Sequence, residues 1–124
     1  MPIEYPFATP TEDHGFCLFP SELEDDELTV FHGTALCNFD SILQNGFRPK
    51  PPLASVSFAR RSSGALRWAS NARGTNSPHG LVLAARLATL SGVVVENSDV
   101  HVIRLCLMPT IVGFCVVPAC YSYV

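Results

Sequence analysis

The tripeptide His32-Gly33-Thr34 is the part of the sequence best suited to holding a ligand. It ends the predicted strand 28–33, so the histidine ring can project from the strand end towards a bound molecule. Glycine at position 33 lets a ligand approach the backbone, whose N–H and C=O groups can pair with an amide. The same tripeptide is also typical of a simple turn, so the segments around it decide its interpretation.

A second group of polar residues lies near the end of the chain. Asp99 opens the alternating run 99–105, and His101 follows on the same face of that predicted strand. Glu96 precedes Asp99 by three residues. His101 is either an exposed sheet histidine or a group that meets an acceptor molecule.

Motifs of the common nucleotide-binding and hydrolytic sites do not occur in the sequence. It contains no P-loop, no Gly-x-Gly-x-x-Gly run, no His-Glu-x-x-His motif and no nucleophile elbow. The five cysteines form no Cys-x-x-Cys pair and no Cys/His spacing typical of zinc, so we expect no metal site. We interpret Cys106, Cys115 and Cys120, which lie in apolar sequence, as reduced core thiols of an intracellular protein, cytoplasmic or nuclear.

Short strands and two short helices are predicted to position these residues. The strands cover 28–33, 54–59, 80–87, 93–95, 99–105 and 111–117, and the helices cover 38–46 and 63–71, with Ser62 as the cap of the second. The run 80–87 is so apolar that periodicity alone also allows a helix there. Because no strand–helix–strand rhythm recurs, the pattern favours an α+β fold with mostly antiparallel strands.

Length and composition indicate one compact domain. The chain has 124 residues, 48% of them hydrophobic and 15% charged, and a net charge of −3, which is not typical of a general nucleic-acid-binding protein. We interpret residues 1–27 as an arm packed on a body formed by 28–124, and the acidic run 21–27 as a solvated loop or helix start. Arg60 and Arg61 are either solvated or in contact with a pyrophosphate. We expect a monomer without a membrane partner.

Four short segments occur in the order and approximate spacing of one enzyme family. The chain resembles the catalytic domain of the PARP and diphtheria-toxin-like ADP-ribosyltransferases, the His-Tyr-Glu type. In this family a strand ends in His-Gly-Ser/Thr, and the helix that follows ends at a glycine that precedes a hydrophobic residue. A strand with the sequence Tyr-Phe-Ala then leads to a helix start rich in serine and to an aromatic residue. A Pro-x-Gly-Leu strand and a strand that opens with Glu follow. The matching segments are 30–34 with 41–48, 57–59 with Ser63 and Trp68, 78–83, and 99–103.

The resemblance covers roughly residues 28–117 and implies a small split antiparallel β-sandwich with two short helices. It also implies NAD⁺ as co-substrate: His32 would hold the adenosine-side ribose, the Gly33 backbone the nicotinamide carboxamide, and Trp68 the nicotinamide ring. The residues assigned to the NAD⁺ site are His32, Gly33, Thr34, Ser57, Phe58, Ala59, Ser63 and Trp68, and the catalytic residues are His32, Ser57 and Asp99.

Three positions depart from the family pattern. Ser57 replaces the tyrosine, which removes one side of the ring sandwich, although serine here is also typical of the Arg-Ser-Glu branch of transferases. Ala65 falls where a serine would touch the nicotinamide amide, and Ser63 matches the preceding family serine. Asp99 stands where the family has glutamate, and its carboxylate reaches about one methylene less. Glu96, three residues earlier, is therefore the alternative for the catalytic carboxylate.

The function implied is mono-ADP-ribosyl transfer, in which nicotinamide is released from NAD⁺ and ADP-ribose passes to a protein or nucleic-acid acceptor. Hydrolysis of NAD⁺ with water as acceptor is the alternative within the same enzyme class. The alternative from another class is an inactive module that binds NAD⁺ or ADP-ribose without turnover, which Ser57 and Asp99 would favour.

Overall fold

The computed structural model describes residues 2–97 and 99–123, and its elements are those of an α+β fold. In chain order they are β1 (Ile3–Glu4), α1 (Ser21–Glu24), β2 (Thr29–Ala35), α2 (Phe39–Asn45), β3 (Val56–Ala59), α3 (Ser62–Ala72), β4 (Gly80–Arg86), β5 (Val94–Glu96), β6 (Asp99–Val102) and β7 (Thr110–Val117). The α+β prediction is confirmed. Three α-helices occur in this part of the chain instead of two, because one turn of the acidic run forms α1.

The strands form one sheet in the order β1-β7-β4-β2-β3-β6-β5. All neighbours are antiparallel except β1 and β7, which are parallel. The junction between β2 and β3 consists of the single pair Phe31 and Ala59, whereas β2 and β4 pair at seven positions. The expected split into two sheets is therefore replaced by one continuous sheet with a narrow junction, and the site lies at that junction.

Strand β4 is the centre of the core. Its residues from Gly80 to Ala85 are all buried, with Leu81, Leu83 and Ala85 in one apolar cluster and Val82 and Ala84 in the other. A strand covered on both faces needs apolar side chains at every position and therefore shows no alternation. This explains why periodicity did not distinguish a strand from a helix over 80–87.

Helix α3 lies directly on β2 and β4 because each strand offers a glycine beneath it. A Cβ atom at Gly33 would come within 2.0 Å of the Ala65 carbonyl oxygen, and one at Gly80 within 2.5 Å of the Ala69 carbonyl oxygen. Ala65, Leu66 and Ala69 form the buried side of the helix. This close approach fixes the position of the exposed side of α3 relative to the end of β2.

Residues 2–27 contact the rest of the sheet and α3 through strand pairing, aromatic packing and one buried carboxylate. Ile3 and Glu4 pair with β7, and the ring of Phe19 stacks on the ring of Phe31 in β2, with their centroids 5.4 Å apart. Glu24 is only 4% exposed and accepts hydrogen bonds from the Phe19 N–H and the Ser62 N–H, both at 3.2 Å, and from the Ser62 hydroxyl. Glu24 thereby ties the N-terminal segment to the start of α3.

Several local expectations are wrong. Ser62 is the first residue of α3 and does not cap it, because its hydroxyl bonds Glu24 and accepts from the Leu18 N–H at 2.8 Å. Of the three cysteines expected in the core, Cys115 is buried but Cys106 and Cys120 are exposed, since they lie in a turn after β6 and in the C-terminal tail. Burial raises the pKa of Cys115 to about 11, so this thiol stays protonated near neutral pH.

Candidate functional site

One large cavity, about 880 Å³ in volume, lies at the narrow junction of the sheet. Its walls come from the end of β2, from α2 and the loop that follows it, from β3, from one side of α3, and from the start of β6. Its volume falls within the range of about 300–1,000 Å³ typical of small-molecule sites. The sequence-predicted residues that line it are His32, Gly33, Thr34, Ser57, Phe58, Ala59, Trp68, Asp99 and His101.

The cavity exists because β2 and β3 pair at one position only. Beyond Phe31, strand β2 continues to Ala35 alongside β4, and β3 pairs on its far side with β6. Alternate N–H and C=O groups of a strand point towards each of its two neighbours. Among the described residues, the edge of β2 that faces β3 therefore has no ladder partner after Phe31, and its backbone groups are free to pair with a bound amide.

His32 crosses this opening with its side chain. Its Nδ1 lies 3.1 Å from the carbonyl oxygen of Ser57. A carbonyl oxygen only accepts, so Nδ1 carries the proton, and in the neutral ring Nε2 keeps its lone pair. Burial lowers the pKa of His32, an effect partly opposed by the hydrogen bond to Ser57. The neutral ring therefore offers one acceptor, which suits a ribose hydroxyl.

Gly33 and Thr34 lie at the base of the cavity, where their roles are partly structural. Gly33 must be glycine because α3 lies on it, a reason independent of any ligand. The Thr34 hydroxyl accepts a hydrogen bond from the Asn38 side-chain amide at 2.8 Å, which links β2 to the residue preceding α2. Asn38 also lines the cavity. The pair of polar side chains therefore adds an ordered hydrogen-bonding surface beside His32.

Strands β3 and β6 present one polar face to the cavity. Ser57 pairs with His101 and Ala59 pairs with Asp99, so these four side chains lie on the same face of the sheet. The intervening residues, among them Phe58 and Val100, point into the apolar core. His101 thus lies half-buried at the wall of the cavity.

Trp68 and two basic side chains lie at the border of the cavity. Trp68 is 63% exposed, an unusual environment for an indole ring, and lies on the free side of α3. Arg48 and Lys50, in the loop after α2, also line the cavity. The sequence interpretation gave neither cation a role of its own, although Arg48 ends one of the matching segments. An aromatic face and two positive charges around one cavity suit a ligand with flat rings and phosphates.

Some predicted residues lie elsewhere. Ser63, Arg60 and Arg61 are not among the residues that line the cavity, and Arg61 forms an exposed ion pair with Asp25 at 3.4 Å. Glu96 is also outside the lining, and its carboxylate lies 3.9 Å from Nε2 of His101. Phe58 lines the cavity but its ring is buried, packed edge-on against Phe47 at 5.0 Å. Because Glu96 is outside the lining, Asp99 is the one of these two acidic residues that faces the cavity.

The described residues include no cluster of three or more His, Cys, Asp or Glu side chains arranged to hold a metal ion. Over the same ranges, no helix is long and apolar enough to cross a membrane.

No protein-family model matches the chain, and no curated protein matches it significantly. Assignment of a function therefore depends on the geometry of the cavity and on the motifs that line it.

Proposed function

We propose that the protein is an NAD⁺-dependent mono-ADP-ribosyltransferase that releases nicotinamide and transfers ADP-ribose to a protein or nucleic-acid acceptor. One observation carries the proposal. Residues from three motifs separated by up to 67 positions, His32, Ser57 and Asp99, line a single cavity together with the Gly33 backbone and the Trp68 ring. The ADP-ribosyltransferase type of the fold and the family resemblance are part of the same proposal.

The chemical character of the walls supports NAD⁺ as the ligand. Neutral His32 offers an Nε2 acceptor to a ribose hydroxyl, while Arg48 and Lys50 supply the positive charge that a diphosphate requires. The free edge of β2 at Gly33 suits a carboxamide, which needs both a donor and an acceptor. Trp68 presents a ring face, and an indole attracts the cationic nicotinamide ring.

Cleavage of the bond between nicotinamide and ribose requires stabilisation of positive charge. As this bond weakens, positive charge develops on the ribose carbon, while nicotinamide departs as a neutral molecule that needs no proton. A fixed carboxylate beside the carbon stabilises the transition state more than the ground state. Asp99 opens β6 at the border of the cavity and is held by pairing with Ala59, which makes it the residue suited to this role.

The experiment uses the intrinsic fluorescence of Trp68, which is the only tryptophan in the chain. We expect titration with NAD⁺ to change this fluorescence and to give a dissociation constant. The same samples, incubated with labelled NAD⁺ with and without cell lysate, are then analysed for free nicotinamide and for label on macromolecules. Nicotinamide release together with labelled macromolecules supports transfer.

Two histidine variants provide the matched comparison. His32→Ala removes the acceptor in the cavity, and we expect it to weaken NAD⁺ binding at least tenfold and to abolish nicotinamide release. His79→Ala changes an exposed loop histidine outside the cavity lining and should behave as the wild type. Nicotinamide release without labelled macromolecules would indicate hydrolysis instead. Binding without release would indicate a non-catalytic module, and equal binding by both variants would overturn the assignment of the site.

A further inference from the structure

A row of three polar side chains crosses the outer strands of the sheet and ends in the cavity. The Ser57 hydroxyl oxygen lies 2.9 Å from Nδ1 of His101, and Nε2 of His101 lies 3.9 Å from the carboxylate of Glu96. These residues belong to the neighbouring strands β3, β6 and β5. Ser57 is directly opposite His101 in the ladder, and Glu96 is diagonal to it, since Val94 pairs with His101. Regular strand pairing therefore places these three side chains on one face of the sheet.

The order of the groups sets the direction of the hydrogen bond between Ser57 and His101. At 3.9 Å the Glu96 carboxylate is too far from Nε2 for a hydrogen bond, but its negative charge favours the tautomer of the neutral imidazole that carries the proton on Nε2. Nδ1 then carries the lone pair, and the Ser57 hydroxyl donates to it. A serine hydroxyl that donates to an imidazole whose other nitrogen faces a carboxylate is the arrangement that activates serine as a nucleophile.

We propose that Ser57 is a nucleophile that accepts the ADP-ribosyl group itself, so that the protein modifies its own cavity. This inference rests on the proposed function, because it takes NAD⁺ as the donor. The Ser57 oxygen forms a bond to the ribose carbon that carries nicotinamide. The carbon–nitrogen bond breaks, and its electron pair stays on the nicotinamide nitrogen. The Ser57 proton passes to Nδ1 of His101 and from there to solvent.

The surroundings of Ser57 favour glycosyl transfer over the acyl transfer usual for such serines. Acyl transfer builds negative charge on an oxygen and needs hydrogen-bond donors beside the nucleophile. Ser57 instead has the Asp99 carboxylate on the same face of the sheet, diagonal to it across β3 and β6. A carboxylate there repels an oxyanion but stabilises a ribose carbon that becomes positive. The two acids therefore have separate roles: Glu96 orients His101, and Asp99 faces the sugar.

The first test identifies the modified atom. The full chain is incubated with NAD⁺, its intact mass is measured, and the modified peptide is mapped. We expect a gain of one ADP-ribosyl group on Ser57, lost in Ser57→Ala and reduced at least tenfold in His101→Ala. Ser91→Ala and His79→Ala alter exposed residues outside the cavity lining and should be modified as the wild type.

Glu96 is a positioning residue, since it acts through His101. Glu96→Gln should slow modification several-fold in the wild-type background and have no effect in the His101→Ala background. A loss caused by general destabilisation would appear in both backgrounds. Glu96→Asp, which keeps the charge, should recover part of the rate.

If nicotinamide is released at equal rates by the wild type and Ser57→Ala, with no adduct on Ser57, the inference fails while the transferase proposal stands. If the wild type releases no nicotinamide, the transferase proposal fails, and transfer to Ser57 fails with it.

Discussion

His32 spans the opening between β2 and β3 by donating from Nδ1 to the carbonyl oxygen of Ser57, 3.1 Å away. The two residues belong to strands that pair at Phe31 and Ala59 only, so the side chain supplies a link that the backbone ladder lacks. The bond also orients the ring and leaves Nε2 as its acceptor. This hydrogen bond thus links β2 to β3 beside the cavity and leaves Nε2 of His32 available to accept a hydrogen bond from a ligand.

This arrangement predicts a specific pH dependence of stability. Burial lowers the pKa of His32 in the folded protein, whereas the unfolded chain binds a proton near the ordinary value of about 6.5. As the pH falls from about 6.5 through the lowered folded pKa, the unfolded state therefore gains a proton that the folded state does not, and stability is lost. His32→Gln keeps an N–H donor for Ser57 but does not titrate.

Chemical denaturation at pH 8, 6.5 and 5 measures the effect. The free energy of unfolding of the wild type should fall more between pH 8 and 5 than that of His32→Gln. Titration of the carboxylates is common to both proteins and cancels in the comparison. Parallel curves would show that His32 is protonated equally in the folded and unfolded states, and the assignment of a neutral ring would then be wrong.

Substitution of Asp99 and substitution of Glu96 should have different effects on the kinetics of nicotinamide release. Under the proposed function, Asp99→Asn removes the charge that would stabilise the ribose carbon, so nicotinamide release should fall about tenfold to a hundredfold, while the dissociation constant for NAD⁺ changes less than threefold. Asp99→Glu gives the side-chain length usual in the ADP-ribosyltransferases that the sequence resembles, and should retain or raise the rate. If Asp99→Asn is silent and Glu96→Gln alone abolishes nicotinamide release, Glu96 is the acid and Asp99 has been misassigned.

The parts of the fold that depend on local pattern were predictable from the sequence. Alternation over 99–105 and the glycine that ends the helix predicted over 38–46 placed β6 and α2 within a few residues, because side-chain period and helix stops are local properties. Even there, β6 ends at Val102, three residues short of the predicted end, and a short 3₁₀ turn covers Leu105–Leu107.

The parts that depend on distant contacts were not predictable from the sequence. Glu24 lies in a run of acids that looks solvated, yet it is buried because α3 presents the Ser62 N–H and hydroxyl to it from 38 positions away. The interpretation of Gly33 as a site for ligand approach omitted the helix that lies on it. The contact between Ser57 and His101 depends on strand register, which no single segment specifies.

Glu24 provides a stability prediction for the N-terminal segment. Glu24→Ala leaves the Phe19 and Ser62 N–H groups and the Ser62 hydroxyl without their acceptor in a buried place, which should cost about 2–4 kcal/mol. Glu22→Ala changes an exposed acid on the same helical turn and should stay within about 0.5 kcal/mol of the wild type. Denaturant titration measures both, and equal stabilities would show that Glu24 does not hold α1 to α3.

Gly33→Ala separates the structural role of this residue from ligand binding. The added Cβ would lie 2.0 Å from the Ala65 carbonyl oxygen and 2.7 Å from the Ala69 nitrogen, both backbone atoms, so α3 must move away from β2. We expect a loss of stability of about 2–3 kcal/mol or more even without NAD⁺. Gly74→Ala, where the added Cβ meets nothing within 4 Å, should leave stability nearly unchanged. Thermal unfolding of the ligand-free proteins measures both effects. Were Gly33→Ala as stable as the wild type but unable to bind NAD⁺, close approach of the ligand rather than of α3 would explain the glycine.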